Sequence, residues 1–259
     1  MLESGEFPIG YNGGNGSTNP TQEMVDAFEM NNGKAITDPS SGYDPQNPYK
    51  NRDARLGMTV HVDGADFKGR KVETYVGGQD GLDKSTTSTK TGYYLKKFCA
   101  EWVNPYEGNS TVGRYWIFFR LGESLLSYAE AMNEAYGPDA DPKNYGMTAR
   151  QAVNKVRSRV YMPGVLATTQ DEMRTKIMNE RRVELAFEEH RFWDVRRWKL
   201  GSQYFNKPIH GMRITKNGNS KTYTVFKVED RVYSEKMNWL PIYYYDIIKQ
   251  NNLEQTPGW

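Results

Sequence analysis

The stretch from Asn179 to Gly201 constrains the fold more than any other part of the chain. It reads NERRVELAFEEHRFWDVRRWKLG and places five arginines and five carboxylates among two phenylalanines and two tryptophans. A fold must expose such charges to water or bury them as satisfied pairs, because an unpaired buried charge is very costly. The stretch is therefore an active site, a surface for an anionic partner, or an internal clamp.

The charge balance of the whole chain argues against an anionic partner. The 34 Lys and Arg residues are nearly matched by 32 Asp and Glu residues, which leaves a formal charge of +2. So small an excess does not direct a protein of this size to nucleic acid or to an anionic membrane. We expect no nucleic acid among the partners.

Three glutamates in this stretch suggest a catalytic alternative. Glu180, Glu184 and Glu188 are spaced four apart, on one face of a predicted helix, and paired carboxylates act as acid and base in glycoside hydrolysis. However, each has a nearby arginine in sequence (Arg181, Arg182 or Arg191), which would hold it ionised, whereas a general acid needs the opposite shift. We therefore predict an internal clamp of arginines, carboxylates and aromatic rings, and no catalytic residue.

No metal site is predicted either. His190 lacks a second histidine at ligand spacing, and Cys99, the single cysteine, gives neither a zinc motif nor a disulfide framework. Four loop carboxylates have the chemistry of Ca²⁺ ligands, but they lack the spacing of an EF-hand, so solvated loops are expected. These four are Asp63, Asp66, Asp80 and Asp83.

Apolar periodicity predicts a mainly α fold, with TPR-like helical hairpins, small β-hairpins and long loops. An apolar stripe over Leu121 to Ala135 predicts a helix that begins near Tyr115. Two capping boxes, Thr148 to Gln151 and Thr169 to Glu172, predict the starts of two more helices. The segment Phe118 to Leu125 resembles the opening of a tetratricopeptide repeat, but no copy follows about 34 residues later, so only TPR-like packing is expected.

Shorter elements are predicted on either side of this helical region. Asn19-Pro20, as a cap and a first helical residue, predicts a helix over Thr21 to Met30. The alternation from Leu56 to Val62 predicts a half-buried strand with His61 on its polar face. Three further elements are predicted: a strand over Lys71 to Val76, a hairpin turning at Asn217-Gly218 and a last helix over Tyr244 to Gln250.

The beginning of the chain gives no targeting information. Met1 to Gly10 lacks a basic start and an apolar centre, so we expect no export signal within this chain. No apolar run approaches the roughly 20 residues of a membrane-spanning helix.

The charged stretch also resembles a family signature. Glu180-Arg-Arg-x-Glu184-Leu-Ala-Phe-Glu188, followed by Arg191-Phe-x-Asp194-Val-Arg-Arg-Trp198, is very similar to the signature of the SusD/RagB family. Six further motifs occur in the family's order: Asn19 to Phe28, Arg52 to Leu56, Arg120 to Glu123 with Tyr128 to Ala131, Val153 to Arg157, Pro241-Ile242 and Pro257 to Trp259. The resemblance implies one SusD/RagB-like domain over residues 1–259, equivalent to the C-terminal half of family members.

Some positions depart from the family pattern. Ala54 and Tyr243 stand where proline is usual, Glu189 where glycine is common, and Thr256 where asparagine is usual. None of these positions carries chemistry that we identify. The larger departure is length, since family members also have an N-terminal half with a lipoprotein signal and most of the TPR-like helices.

The resemblance implies a non-enzymatic, nutrient-binding lipoprotein on the extracellular face of the outer membrane, lipid-anchored in the full-length protein. Such a protein binds oligosaccharides, needs no cofactor, and passes its ligand to a SusC-like TonB-dependent transporter. Two alternatives remain open. One is a RagB-like protein that delivers peptides, and the other is a helical glycoside hydrolase.

Ligand binding in such a protein is expected on loops, because sugars offer C–H faces to exposed aromatic rings and hydroxyls to polar side chains. In relatives, some ring platforms lie just before the Asn-Pro-Thr helix, which makes Tyr11 the leading candidate, with Asn12 beside it. Tyr43, Tyr49 and Trp102 are further candidates. For each aromatic residue the alternative role is to anchor its own loop.

Overall fold

Helices joined by long loops make up most of the computed structural model, which describes residues 3–104, 117–250 and 252–259. The helices are α1 (Gln22–Ala27), α2 (Ala54–Thr59), α3 (Leu121–Tyr136), α4 (Ala149–Ser158), α5 (Gln170–Glu184), α6 (His190–Arg197), α7 (Gly201–Phe205) and α8 (Tyr244–Lys249). Short 3-10 turns span Glu3–Glu6 and Glu235–Asn238. The predicted mainly α class is confirmed.

The strands form antiparallel pairs. They are β1 (Val60–His61) with β4 (Tyr94–Leu95), β2 (Asp66–Phe67) with β3 (Arg70–Lys71), and β5 (Ile209–Asn217) with β6 (Ser220–Glu229). The longest pair turns between Asn217 and Ser220, so the hairpin predicted from Asn217-Gly218 is confirmed. Within the described ranges, no helix has the length and apolar content needed to cross a bilayer.

The helical hairpin forms where its capping boxes predict it. The Thr148 hydroxyl accepts the backbone N–H of Gln151 at 3.2 Å, and the Gln151 side chain accepts that of Thr148 at 2.8 Å. Thr169 and Glu172 cap α5 in the same way. Helix α3 begins at Leu121, and Tyr115 lies outside the described residues.

The strand predicted over Leu56 to Val62 is wrong for most of its length. The Asp53 carboxylate accepts the backbone N–H of Arg55 at 2.9 Å and so starts α2, which leaves only Val60–His61 as strand. His61 was expected on a polar face, but it is fully buried with its ring 4.4 Å from that of Phe67.

Two other predicted boundaries shift because side chains form hydrogen bonds with the backbone groups at those positions. Thr21, rather than Asn19, caps α1, and the helix ends at Ala27 because the guanidinium of Arg52 donates to the carbonyls of Val25 and Phe28, each at 2.7 Å. Strand β3 covers only Arg70–Lys71. Val72 still donates to the Ala65 carbonyl at 2.8 Å, but the N–H groups of residues 73 and 74 donate to the carboxylates of residues 80 and 63.

Helix α5 joins two hydrophobic cores. Its N-terminal half packs Met173 and Ile177 against α3 and α4, and its C-terminal half packs Val183 against α1, α2 and the β5–β6 hairpin. A third core lies under the N-terminal segment and contains Phe7, Tyr11, Phe67, Val72 and Val103. The charged residues in the second half of α5 therefore lie near the junction of the first two cores.

The chain turns sharply after Glu184. Helix α5 ends there, and Phe187 (φ 60°) and Glu189 (φ 66°) adopt left-handed conformations before α6 begins at His190. The prediction that Glu188 continues the helical face of Glu180 and Glu184 is therefore wrong.

Candidate ligand-binding site

Glu180 lies at the centre of a buried charge cluster. It accepts hydrogen bonds from Arg55 of α2 at 2.6 Å and from Arg157 of α4 at 2.8 Å. Arg55 also pairs with Asp53, and Arg157 with Glu29 at 2.8 Å. These contacts hold three helices together and confirm the predicted internal clamp, although the partners are distant arginines rather than Arg181 or Arg182.

Glu184 and Glu188 extend the same cluster. Arg120 donates to Glu184 at 2.6 Å and to Glu188 at 2.7 Å, and Lys97 donates to Glu188 at 2.6 Å. Burial opposes ionisation, but these cationic partners outweigh it and lower the pKa of both carboxyls. A general acid needs a raised pKa, so this cluster favours a structural role over acid catalysis.

A second set of contacts fixes the corner between α5 and α6. Arg181 forms two hydrogen bonds to Asp194, at 2.9 and 3.1 Å, in a bidentate arrangement. Arg196 lies 3.4 Å from the centre of the Phe192 ring and donates to the backbone carbonyl of Met237 at 3.0 Å. These contacts tie the corner to α6 and to the segment that contains Met237.

The leading sequence candidate, Tyr11, is built into the third core. Only 8% of the residue is exposed. Its ring packs against Phe67 at 4.9 Å and under the Arg70 guanidinium at 3.7 Å, and its hydroxyl donates to the Phe67 carbonyl at 3.0 Å. This packing favours the anchoring alternative, and sugar stacking by Tyr11 stays an untested prediction. Asn12 beside it is exposed.

Tyr43 and Tyr49 are half-buried and packed against the protein. The Arg52 guanidinium lies 5.5 Å from the centre of the Tyr43 ring. The Tyr49 ring meets the edges of two other tyrosines, Tyr93 at 6.2 Å and Tyr223 at 5.8 Å. Both rings anchor their loop, and neither offers an open ring surface comparable to that of an exposed tryptophan.

Trp102 has the geometry expected of an exposed ring platform, since 67% of the residue is accessible. The backbone around it is held by Lys68, whose ammonium donates to the carbonyls of Glu101 at 2.7 Å and Val103 at 2.5 Å. Val103 is buried in the third core, beside Tyr11. The ring is therefore exposed on a loop that the core holds in place.

The loop carboxylates considered for Ca²⁺ have protein partners instead. Asp80 is buried and paired with Arg70 at 2.7 Å, and Asp63 is bound by Lys221 and by the backbone N–H of Thr74 at 3.0 Å. Within the part of the chain that the structure describes, no group of three or more His, Cys, Asp or Glu side chains is arranged to hold a metal ion.

A cavity that the sequence did not reveal lies between α1, the α5–α6 corner and α7. Its volume is 600 Å³, and its lining includes four aromatic rings: Phe187, Phe192, Tyr204 and Phe205. Arg182 and Arg191 also line it, together with Glu23, which is hydrogen-bonded to His210. Arg191 was expected to pair with Glu188, but it lies 4.5 Å from the centre of the Tyr204 ring instead.

The fold and these surfaces define a helical protein in which Glu180, Glu184 and Glu188 are paired with cations, and whose open features include exposed aromatic rings and a 600 Å³ cavity. Comparison with known proteins agrees with that class. The family model described as "SusD family" matches residues 4–259. The chain therefore belongs to the SusD family.

Individual relatives support this assignment. The SusD-like protein P2 of Formosa agariphila is 36% identical over 101 residues, which is 35% of this chain and 18% of that protein. A SusD-like protein from Bacteroides fragilis superposes with a TM-score of 0.79 at 31% identity over 95% of this chain and 48% of its own. A SusD-like carbohydrate-binding protein from the same species superposes with a TM-score of 0.65 at 25% identity, over 87% of this chain and 46% of its own. The chain thus spans about half the length of these solved relatives.

Proposed function

We propose that this chain is the C-terminal part of a glycan-binding protein that binds oligosaccharides without cleaving them. The observation that carries the proposal is the match to the SusD family over residues 4–259. The structural neighbour described as carbohydrate-binding supports it. The lowered pKa values of Glu184 and Glu188 also support binding without acid catalysis.

The proposal includes a transport role. The bound oligosaccharide passes to a SusC-like TonB-dependent transporter, and the full-length protein is lipid-anchored at the extracellular face of the outer membrane. This part rests on family membership, and its test is co-purification of the full-length protein with such a transporter from outer membranes.

Within this proposal Trp102 stacks on a sugar ring. An exposed indole offers a flat apolar face to the C–H groups of a pyranose, and a firmly held loop reduces the entropy lost on binding. Lys68 and Val103 provide that hold. Of the aromatic residues predicted for the site, Trp102 alone combines a free ring with a supported backbone.

Titration calorimetry of the 259-residue chain tests the site. The probes are neutral hexasaccharides of glucose, mannose and xylose. Trp102→Ala is expected to weaken the binding of the best probe by about tenfold, or roughly 1.4 kcal/mol, and to leave the melting temperature unchanged.

Trp239→Ala is the matched control, because Trp239 is 60% exposed and lies far along the chain near α8. The control is expected to keep wild-type affinity. Equal affinity in the wild type and Trp102→Ala would remove Trp102 from the site, and loss of binding in both variants would point to a general effect on the fold.

A further inference from the structure

Arg182 and Arg191 differ from the clamp arginines in forming no ion pair with a carboxylate of the described residues. Arg55, Arg120, Arg157 and Arg181 each form ion pairs of 3.0 Å or less. Arg182 and Arg191 form none within the described residues, and both line the 600 Å³ cavity. They also line a second cavity of 250 Å³, which shares Tyr204 with the first.

This pair of charges is costly in its present surroundings. Burial lowers the pKa of Arg182 to about 10, and the neighbouring charge of Arg191 adds to that effect. Burial also lowers the pKa of Arg191. Two like charges that are close together and only partly exposed to water favour an anion that can lie between them.

The carboxylates around the two cavities are already engaged or exposed. Glu23 is hydrogen-bonded to the His210 ring at 2.5 Å, and Asp26 accepts the Gln22 amide at 2.7 Å. Glu29 is bound by Arg157 and Lys176, and Glu189 is exposed to solvent. None of these groups forms an ion pair with Arg182 or Arg191.

The rest of the cavity suits a sugar. Its volume lies within the range of about 300–1,000 Å³ typical of small-molecule sites. Phe192, Tyr204 and Phe205 provide apolar ring surface, and Gln203 and Lys207 add hydrogen-bonding groups. A sugar ring that has an apolar C–H face and carries one negative group matches this combination of aromatic rings and guanidinium groups.

We propose that this cavity binds an acidic sugar, whose carboxylate or sulfate group lies between Arg182 and Arg191. The saccharide part of the assignment rests on the proposed function, whereas the oxyanion site rests on the cavity and on two arginines that form no ion pair within the described residues. Both guanidinium groups present planar N–H donors that match the two oxygens of a carboxylate or sulfate.

Calorimetry at fixed ionic strength tests the proposal on the 259-residue chain. The probes are trisaccharides of galacturonate, glucuronate and mannuronate, the methyl ester of each, and sodium sulfate. At least one acidic trisaccharide is expected to bind, and its neutral methyl ester to bind about tenfold more weakly or worse, because the ester removes the charge and adds only one methyl group.

Variants assign the effect to the cavity. Arg182→Gln and Arg191→Gln are each expected to weaken the acidic probe by about tenfold or more. Arg213→Gln, at an exposed position of strand β5, is the control and is expected to bind like the wild type. If a glutamine variant does not fold, the rise in melting temperature of the wild type with the acidic probe, compared with its methyl ester, gives the same test.

Failure of every acidic trisaccharide to bind, or equal binding by Arg182→Gln and the wild type, overturns the proposal. Free sulfate that binds as tightly as the best trisaccharide keeps the oxyanion site and overturns the assignment to a sugar. The neutral hexasaccharides and Trp102→Ala test glycan binding separately, so failure of one proposal is distinguishable from failure of the other.

Discussion

Glu184 shows what a single charged residue does in this fold. Its carboxylate is almost fully buried and pairs with three arginines: Arg55 at 3.0 Å, Arg120 at 2.6 Å and Arg159 at 2.5 Å. These arginines come from different segments of the chain. Removing the carboxylate charge would leave Arg55 buried with less compensation and would weaken the contacts that hold those segments together.

Glu184→Gln is therefore expected to lower the free energy of unfolding by about 3–5 kcal/mol, as for other broken buried ion pairs. Urea denaturation at pH 7 measures the change. Asp171→Asn is the control, because Asp171 is exposed and pairs with Arg174 at the surface, where loss of the pair costs about 1 kcal/mol or less. A loss below 1 kcal/mol for Glu184→Gln would contradict the account of the clamp.

Sequence reasoning at this scale identified the clamp but not its partners. It paired each glutamate with a nearby arginine, whereas Arg55 and Arg157 reach Glu180 from other helices. For the same reason it missed that Arg182 and Arg191 have no ion-pair partner in the described residues. The burial of Tyr11 likewise depends on Phe67, whose position no local pattern reports.

The break between α5 and α6 is a feature of elements rather than of single contacts. Glu189 takes a left-handed conformation with φ 66° at the start of α6. Glycine adopts this conformation freely, whereas a residue with a Cβ is strained there by roughly 1 kcal/mol. The turn directs the chain so that Glu188 faces Arg120 and Lys97.

Glu189→Gly is accordingly expected to raise the free energy of unfolding by about 0.5–1 kcal/mol. Lys155→Gly is the comparison, because Lys155 is exposed within helix α4, where glycine costs about 1 kcal/mol. Urea denaturation of both variants should give changes of opposite sign. A loss of stability in Glu189→Gly would mean that the strain is offset by contacts of the Glu189 side chain.

Elements set by local rules were predictable, and those set by distant partners were not. The capping boxes at Thr148 and Thr169 and the turn at Asn217-Gly218 need only neighbouring residues, and all three form as expected. The segment from Leu56 to Val62 has a strand-like alternation, but the Asp53 cap starts a helix there. Helix α1 ends early because the Arg52 guanidinium donates hydrogen bonds to the backbone carbonyls at its C-terminal end.

Stability of the whole molecule depends on pH through His61. Its ring is fully buried, burial lowers its pKa from 6.5 to about 3, and neither ring nitrogen has a hydrogen-bond partner among the described residues. Because the folded pKa lies below the unfolded value, the unfolded chain takes up the proton first. The contribution of a neutral His61 is therefore full above pH 6.5 and is lost as the pH falls towards 3.

The expected loss between pH 8 and pH 5 is about 2 kcal/mol in the free energy of unfolding, from this histidine alone. His61→Leu should show little of that loss, because leucine takes up no proton. Urea denaturation of both proteins at pH 8, 6.5 and 5 measures the difference. Parallel pH profiles would show that His61 is protonated in the folded state or lies in a wetter site.

Binding and hydrolysis make different demands on the side chains of this chain, which spans about half the length of its solved relatives. A binding role needs open aromatic or polar surfaces and no activated carboxyl. A hydrolase would need one glutamate with a raised pKa beside one that is ionised. Glu184 and Glu188 are both held ionised by cations.

The most direct test is one sample measured in two ways. The 259-residue chain is titrated with the neutral hexasaccharides and acidic trisaccharides, and each mixture is then analysed for shorter saccharides by chromatography after a day. The account predicts saturable binding of at least one probe and no shorter product. Release of shorter saccharides that stops in Glu180→Gln or Glu184→Gln, or the absence of binding to every probe, would contradict it.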